Sequence, residues 1–285
     1  MRYLFLAIWP LGIAVVLLAT WLVARRPQLV SPIRRVSDRL PLPSEPSPGP
    51  LRESAKMIAI AIAGAVIVFA VMLAIGAAWV VHHGSSIDDP IYRFTIHHQL
   101  HVGKRAMGRL TKMGDTWTCW GAAIAAAVCL SVGWRSRKWL PPVILGTVIV
   151  VDHYLTLAIR HVFERVGPPN SPHGTYPSGG CERMVFFYGL IAYLLWREFS
   201  GRRSAGIWAG GAVAALAVSE AYSRLYLTLH WFTDAVSGLI YGVLMLVAFV
   251  IAVRLVAGPP QAWRGRNRPA QAPDPLPVTA GGATG

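Results

Sequence analysis

The twelve residues from Ser223 to Asp234, SRLYLTLHWFTD, hold the side chains best suited to chemistry in this chain. His230 precedes Asp234 by one helical turn, which puts an imidazole and a carboxylate on one face. The carboxylate can hold one ring nitrogen and leave the other free to attack, as in an oriented nucleophile. Taken alone, the pair fits better two polar residues that merely cap a helix starting near Trp231. Two further features favour chemistry. Arg160 ends an earlier apolar run and Arg224 precedes His230, and guanidinium groups bind phosphate oxygens two at a time. The stretch HGTYPSGGCERM, residues 173–184, opens the next apolar run with a glycine-rich turn, and such a turn entering a helix offers backbone N–H groups to an anion. Together these features describe a phosphate pocket.

Such groups need a scaffold, and composition names its solvent. Of 285 residues, 54% are hydrophobic and only 14% are charged, against about a quarter charged in soluble domains. Apolar runs near the length that crosses a hydrocarbon core, about 20 residues, fall at 3–24, 57–81, 116–134, 139–159, 183–199, 205–222 and 232–256. The expected fold class is all-α, a polytopic membrane helix bundle. One extra N-terminal transmembrane helix (1–24) precedes a six-helix core (57–257). The first run ends in ARRP with no small-residue cleavage site and reads as a membrane helix rather than a leader. Residues 25–56, with PLPSEPSPGP, read as a Pro-rich basic cytoplasmic linker, and 258–285 as a disordered tail. With the linker inside, 17 of the 27 Lys and Arg residues lie on cytoplasmic segments, which puts the candidate site outside and the C-terminus in the cytoplasm. The formal charge of +14 gathers at span ends and in the linker, so the partner it implies is membrane lipid and not nucleic acid.

Other polar residues have plainer readings. His82, His83, His97, His98 and His101 lie in a long external segment, 82–115, without a carboxylate or thiolate at ligand spacing, and read as headgroup-level surface rather than a metal site. Apolar residues there, Ile91, Phe94, Leu100, Met107 and Leu110, fit interfacial helices. Cys119 and Cys129 sit too far apart on one span to be bridged, leaving Cys181 as an external free thiol. Asp152 and His153, two turns before Arg160, are expected on its face, and Glu220 is placed to pair with Arg224.

The chain resembles the type 2 phosphatidic acid phosphatase and vanadium haloperoxidase superfamily, whose motifs are K-x(6)-R-P, P-S-G-H and S-R-x(5)-H-x(3)-D. Ser223, Arg224, His230 and Asp234 match the third in full. Pro177, Ser178 and Gly179 match the second, with Gly180 in the histidine position. In RHVFERVGPP, Arg160 takes the lysine position of the first, Gly167 the arginine and Pro168 the proline. Over residues 57–257 the resemblance implies a six-helix phosphatase-like membrane domain. It further implies that His230 attacks phosphorus to form a phospho-histidine, with Asp234 orienting the ring. Arg160, Arg224, Ser178 and the Gly179 amide would hold the phosphate oxygens. The implied enzyme is a lipid phosphatase of the membrane branch, a hydrolase that uses no metal or other cofactor. Its partner would be a lipid phosphate or diphosphate of the outer leaflet, such as a polyprenyl diphosphate or a phosphatidic-acid-like lipid. The haloperoxidase branch binds vanadate and is soluble.

The departures carry chemical weight. A histidine at position 180 would protonate the leaving oxygen, and such acid help is worth about 10²–10⁴ in rate. Its absence fits a diphosphate, which expels a phosphate of second pKa about 6, better than an alcohol, which resembles water at about 15.7. His173, Glu182 or His161 could instead supply the proton, and Arg165 could stand in for the arginine missing at Gly167. Restoring a histidine at Gly180 is expected to favour monoesters. The alternative is a catalytically degenerate member that binds, carries or helps assemble phospholipid without cleaving it.

Overall fold

The structure, a computed structural model, describes residues 2–25, 50–133, 138–169, 171, 174–200 and 202–258, with side chains described from residue 9 onward except at 81–83. Among these residues helices are the regular elements, joined by short turns. In chain order the helices are α1 (Arg2–Arg25), α2 (Pro50–Ile75, continued by a π turn, Gly76–Val80), α3 (Val81–His98), α4 (His101–Leu110), α5 (Thr116–Gly133), α6 (Leu140–Phe163), α7 (Gly179–Leu195, continued by a π turn, Trp196–Ser200), α8 (Arg203–Tyr226) and α9 (Phe232–Ala257). A 3₁₀ turn, Thr111–Gly114, joins α4 to α5.

Among the described residues, five stretches are long and apolar enough to cross a membrane: Pro50–Val80, Thr116–Gly133, Leu140–Phe163, Arg203–Tyr226 and Phe232–Ala257. The apolar part of α1, Trp9–Arg25, and the 17 residues of α7 are shorter, so each of the seven expected runs is a helix. Valine and isoleucine at 66, 67, 124, 128 and 132 stay exposed, as suits side chains whose solvent is lipid. Inside, Met57, Met72, Phe186, Phe187, Leu190, Met245 and Phe249 form the core. Hydrophobic burial drives helix association little in lipid, so close packing through small residues has to supply it. Gly64 meets Ala248, and Gly189 meets Leu246.

Two boundaries differ from expectation. Residues 50–56, assigned to the linker, form the first turns of α2, because Pro50 is at home at a helix start and LRESAK has good helix formers. The remainder of the linker and the tail beyond 258 lie outside the described residues. In addition, α7 starts at Gly179, four residues before its apolar run. Segment 82–115 is built of α3 and α4, and Gln99 and Leu100 between them are tied to α8: the Gln99 amide donates to the Tyr226 carbonyl at 2.6 Å, and Leu100 N–H to the Tyr226 hydroxyl at 2.7 Å. On the other side of α8, Trp9 Nε1 donates to Ser219 Oγ at 3.0 Å, and Gly211 abuts Thr20, so α1 runs antiparallel to α8.

Candidate active site

The end of α6, the start of α7, the end of α8 and the start of α9 meet at one end of the bundle. Helix α6 stops where Glu164 turns left-handed (φ 40°) and its N–H closes on the Arg160 carbonyl at 2.9 Å. The chain then folds back on itself, with the Gly174 and Thr175 N–H groups both donating to the Arg165 carbonyl at 3.0 and 3.3 Å. Gly167 is buried inside this fold, where a Cβ would strike Ser171 and Thr175. The position that would hold the first-motif arginine therefore has no room for a side chain.

His230 follows a bend in which Thr228 holds left-handed backbone (φ 55°), a strained choice for a β-branched residue. Its Nδ1 lies 3.0 Å from the Thr175 carbonyl oxygen. A carbonyl only accepts, so Nδ1 carries the proton and Nε2 presents its lone pair. Among the described residues Nε2 has no hydrogen-bond partner. Asp234 Oδ2 is 3.9 Å from Nδ1, outside hydrogen-bond range. The expected Asp234–imidazole bond is thus replaced by a carbonyl, and Asp234 acts on the ring through its field. The carboxylate is engaged elsewhere: Oδ2 accepts the Trp231 N–H at 3.2 Å and Oδ1 pairs with Arg165 Nη1. Burial pushes the His230 pKa below the ordinary histidine value; Asp234 opposes the fall, while Arg224 and Arg160 add to it.

Opposite the imidazole, the Ser178 N–H donates to the Asp234 carbonyl at 3.0 Å, joining the glycine-rich turn directly to the histidine segment. At Gly179 a Cβ would stand 2.9 Å from Arg160 Nη2 and 3.0 Å from Arg183 Nη2; at Gly180, 2.5 Å from Arg224 Nη2 and 2.6 Å from Glu220 Oε1. The two missing side chains let three guanidinium groups close around the N-terminus of α7, where the first N–H groups lack helical acceptors. Arg224 is held by Glu220 at 2.6 Å, as expected, and also by Asp115 at 2.9 Å and the Thr111 carbonyl at 3.1 Å. Arg160 Nε and Ser178 Oγ are buried without a hydrogen-bond partner among the described residues.

The structure therefore brings His230, Asp234, Arg160, Ser178, Gly179 and Arg224 to one end of the bundle, and sorts the proposed substitutes. Arg165 does not serve the cradle: Nη2 is 2.6 Å from Asp88 Oδ2, Nη1 is 2.8 Å from Thr233 Oγ1, and Nη1 also pairs with Asp234. His161 is exposed beside Glu164, at 3.8 Å. Glu182 points into the bundle interior, fully buried, and its carboxylate oxygens have no hydrogen-bond partner among the described residues. His173 lies outside the described residues. Of the α6 pair, only Asp152 turns inward, to Arg183 at 3.1 Å; His153 is exposed, its ring edge-on to Trp120 and Tyr154. Cys181, expected as an external thiol, is buried in the first turn of α7. Three contributors went unread: Thr175, Asp88 and Arg183. Arg183 had a signal, since it follows Gly179 by one helical turn.

Residues 116–256, from α5 into α9 and including all three motif regions, match the model of the PAP2 superfamily. The protein named "Putative undecaprenyl-diphosphatase YbjG" of Escherichia coli (strain K12) is 30% identical over 122 residues, 43% of this chain and half the length of that relative. The fold matches the crystal structure of a transmembrane PAP2-type phosphatidylglycerolphosphate phosphatase from Bacillus subtilis with a TM-score of 0.58 at 22% identity, covering 65% of this chain and 94% of that one. With its helices, its three motif regions and its family match in agreement, residues 116–256 of this integral membrane chain belong to the PAP2 superfamily.

Proposed function

We propose that the chain is a lipid phosphatase whose site faces the outer side of the membrane and which prefers a lipid diphosphate, such as a polyprenyl diphosphate, over a phosphomonoester. The observation that carries this reading is the His230 ring, which is fixed by the Thr175 carbonyl with its Nε2 lone pair free beside a guanidinium-lined helix N-terminus. Nε2 attacks phosphorus, a P–N bond forms as the P–O bond to the leaving group breaks, and water later hydrolyses the phospho-histidine. Asp234 stabilises the imidazole as it gains positive charge. The guanidiniums and α7 amides take the charge on the phosphoryl oxygens.

The preference for a diphosphate rests on position 180. The space there belongs to the Arg224 guanidinium and Glu220, so charge rather than a proton meets the departing oxygen, and a phosphate leaves on charge stabilisation far more readily than an alkoxide. The name of the Escherichia coli relative points the same way.

The test uses the full chain purified in detergent and measures phosphate release from a polyprenyl diphosphate, a phosphatidic acid and a phosphatidylglycerolphosphate. Fastest release from the diphosphate, and its loss in His230→Ala, is expected. No release from any of the three lipids, or release unchanged in His230→Ala, would leave a lipid-binding protein instead. A phosphatidic acid cleaved as fast as the diphosphate would end the proposed preference.

A further inference from the structure

The geometry points to Arg183 as a direct phosphate-binding residue, a third guanidinium of the cradle, held ready by Asp152 and the Gly114 carbonyl. This inference rests on the phosphate site proposed above and adds a residue that lies outside the three motifs.

Arg183 is anchored on two of its nitrogens and aimed with the third. Its Nε donates to Asp152 Oδ2 at 3.1 Å, and its Nη1 to the Gly114 carbonyl at 3.4 Å. Nη2 has no hydrogen-bond partner among the described residues. That nitrogen stands 3.0 Å from the point where Gly179 would carry a Cβ, and Arg160 Nη2 stands 2.9 Å from the same point. Two guanidinium ends converging on one point favour an anion between them; Asp152 and Glu182 act on Arg160 only from a distance, and no carboxylate among the described residues is within ion-pair reach of it.

The surroundings supply the rest of an anion site. The point lies at the first residue of α7, where unpaired backbone N–H groups gather. The Ser178 hydroxyl next to it is fully buried and unpartnered among the described residues. Arg183 itself is 7% exposed, and a guanidinium buried that deeply is retained at considerable expense in solvation. Asp152 offsets part of its charge and fixes its fork. A purely structural ion pair needs no donor directed at a glycine, whereas a phosphate oxygen seated against Gly179 would accept from Arg160, Arg183 and the helix amides together. The absent Cβ is what leaves room for it.

The experiment measures binding, so that it stands apart from turnover. The full-length chain in detergent is titrated with orthovanadate and with inorganic phosphate by calorimetry, in wild type, R160Q, R183K, R183Q and the double variant D152N/R183Q. The double variant removes both buried charges at once and guards against misfolding of R183Q. Folding is followed by elution profile and melting temperature. Affinity for both anions is expected to fall about tenfold or more in R183Q and in the double variant, with R183K in between because a lysine keeps the charge and loses the fork. Wild-type affinity in either glutamine variant, alongside a loss in R160Q, would overturn the role of Arg183 and leave the phosphatase reading intact. Absence of anion binding in wild type would remove both.

Discussion

Arg165 and Arg183 flank the same turn, and the fold uses them in opposite ways. Arg165 has each end of its guanidinium on a buried carboxylate, Asp88 and Asp234. Arg183 has one carboxylate partner and one nitrogen directed at the glycine that begins α7. The first is a brace that fixes the histidine segment against α3; the second has donors to spare for a ligand. Sequence proximity to a motif therefore says less about an arginine's task than the number of carboxylates that reach it.

The contrast can be broken in several ways. The largest effect is expected from Arg165→Ala, which strands Asp88 and Asp234 in the interior and should cost about 3–5 kcal/mol of stability. Its melting temperature in detergent should drop and recover in part when Asp88→Asn is added. A small drop would show that the brace is dispensable. Next comes Gly180→His. A histidine here would supply the acid that monoesters need, but its side chain must displace Arg224 and Glu220, so kcat/KM should fall about 10²-fold on diphosphate and monoester alike. A selective gain on monoesters would show that a histidine is accommodated at position 180 and protonates the departing oxygen there. Tyr226→Phe, which removes the hydroxyl that accepts from Leu100 N–H, should cost about 1 kcal/mol and loosen α3–α4 while leaving anion affinity unchanged.

The smallest effect concerns pH. In the proposed mechanism His230 attacks as a neutral ring, and burial lowers its pKa, so the neutral form persists further into acid than in a free imidazole. The acid limb of kcat/KM should therefore lie below about 6.5. A limb above that value would mean that Asp234 outweighs burial at this ring.

Much of this was legible from sequence for a simple reason. A span is a one-dimensional signal, so the seven apolar runs fell where the helices are, and the third motif is local enough for spacing to bring His230 and Asp234 together. What escaped is azimuth. Adjacent residues on a helix point about 100° apart, and this separates Asp152, which reaches Arg183, from His153, which is exposed. Arg183 and Asp88 are defined by partners on other helices; within its own helix Arg183 is marked only by its place one turn after Gly179, and Asp88 by nothing. The start of α7 escaped because GGCE is neither apolar nor helix-favouring; the Asp234 carbonyl, from another helix, ties that turn through the Ser178 N–H.

The hydrogen bond from the Ser178 amide to the Asp234 carbonyl has a mechanical meaning. Membrane helices tilt to match the thickness of the bilayer, and a site assembled from the ends of four of them would ordinarily widen or narrow as they do. Here the His230 segment and the glycine-rich turn are joined main chain to main chain by this bond, so tilt carries both together. For the proposed phosphatase, the spacing of His230 from that turn is thereby insulated from acyl-chain length, and bilayers of different thickness should change how readily substrate reaches the site rather than the rate of the step at phosphorus.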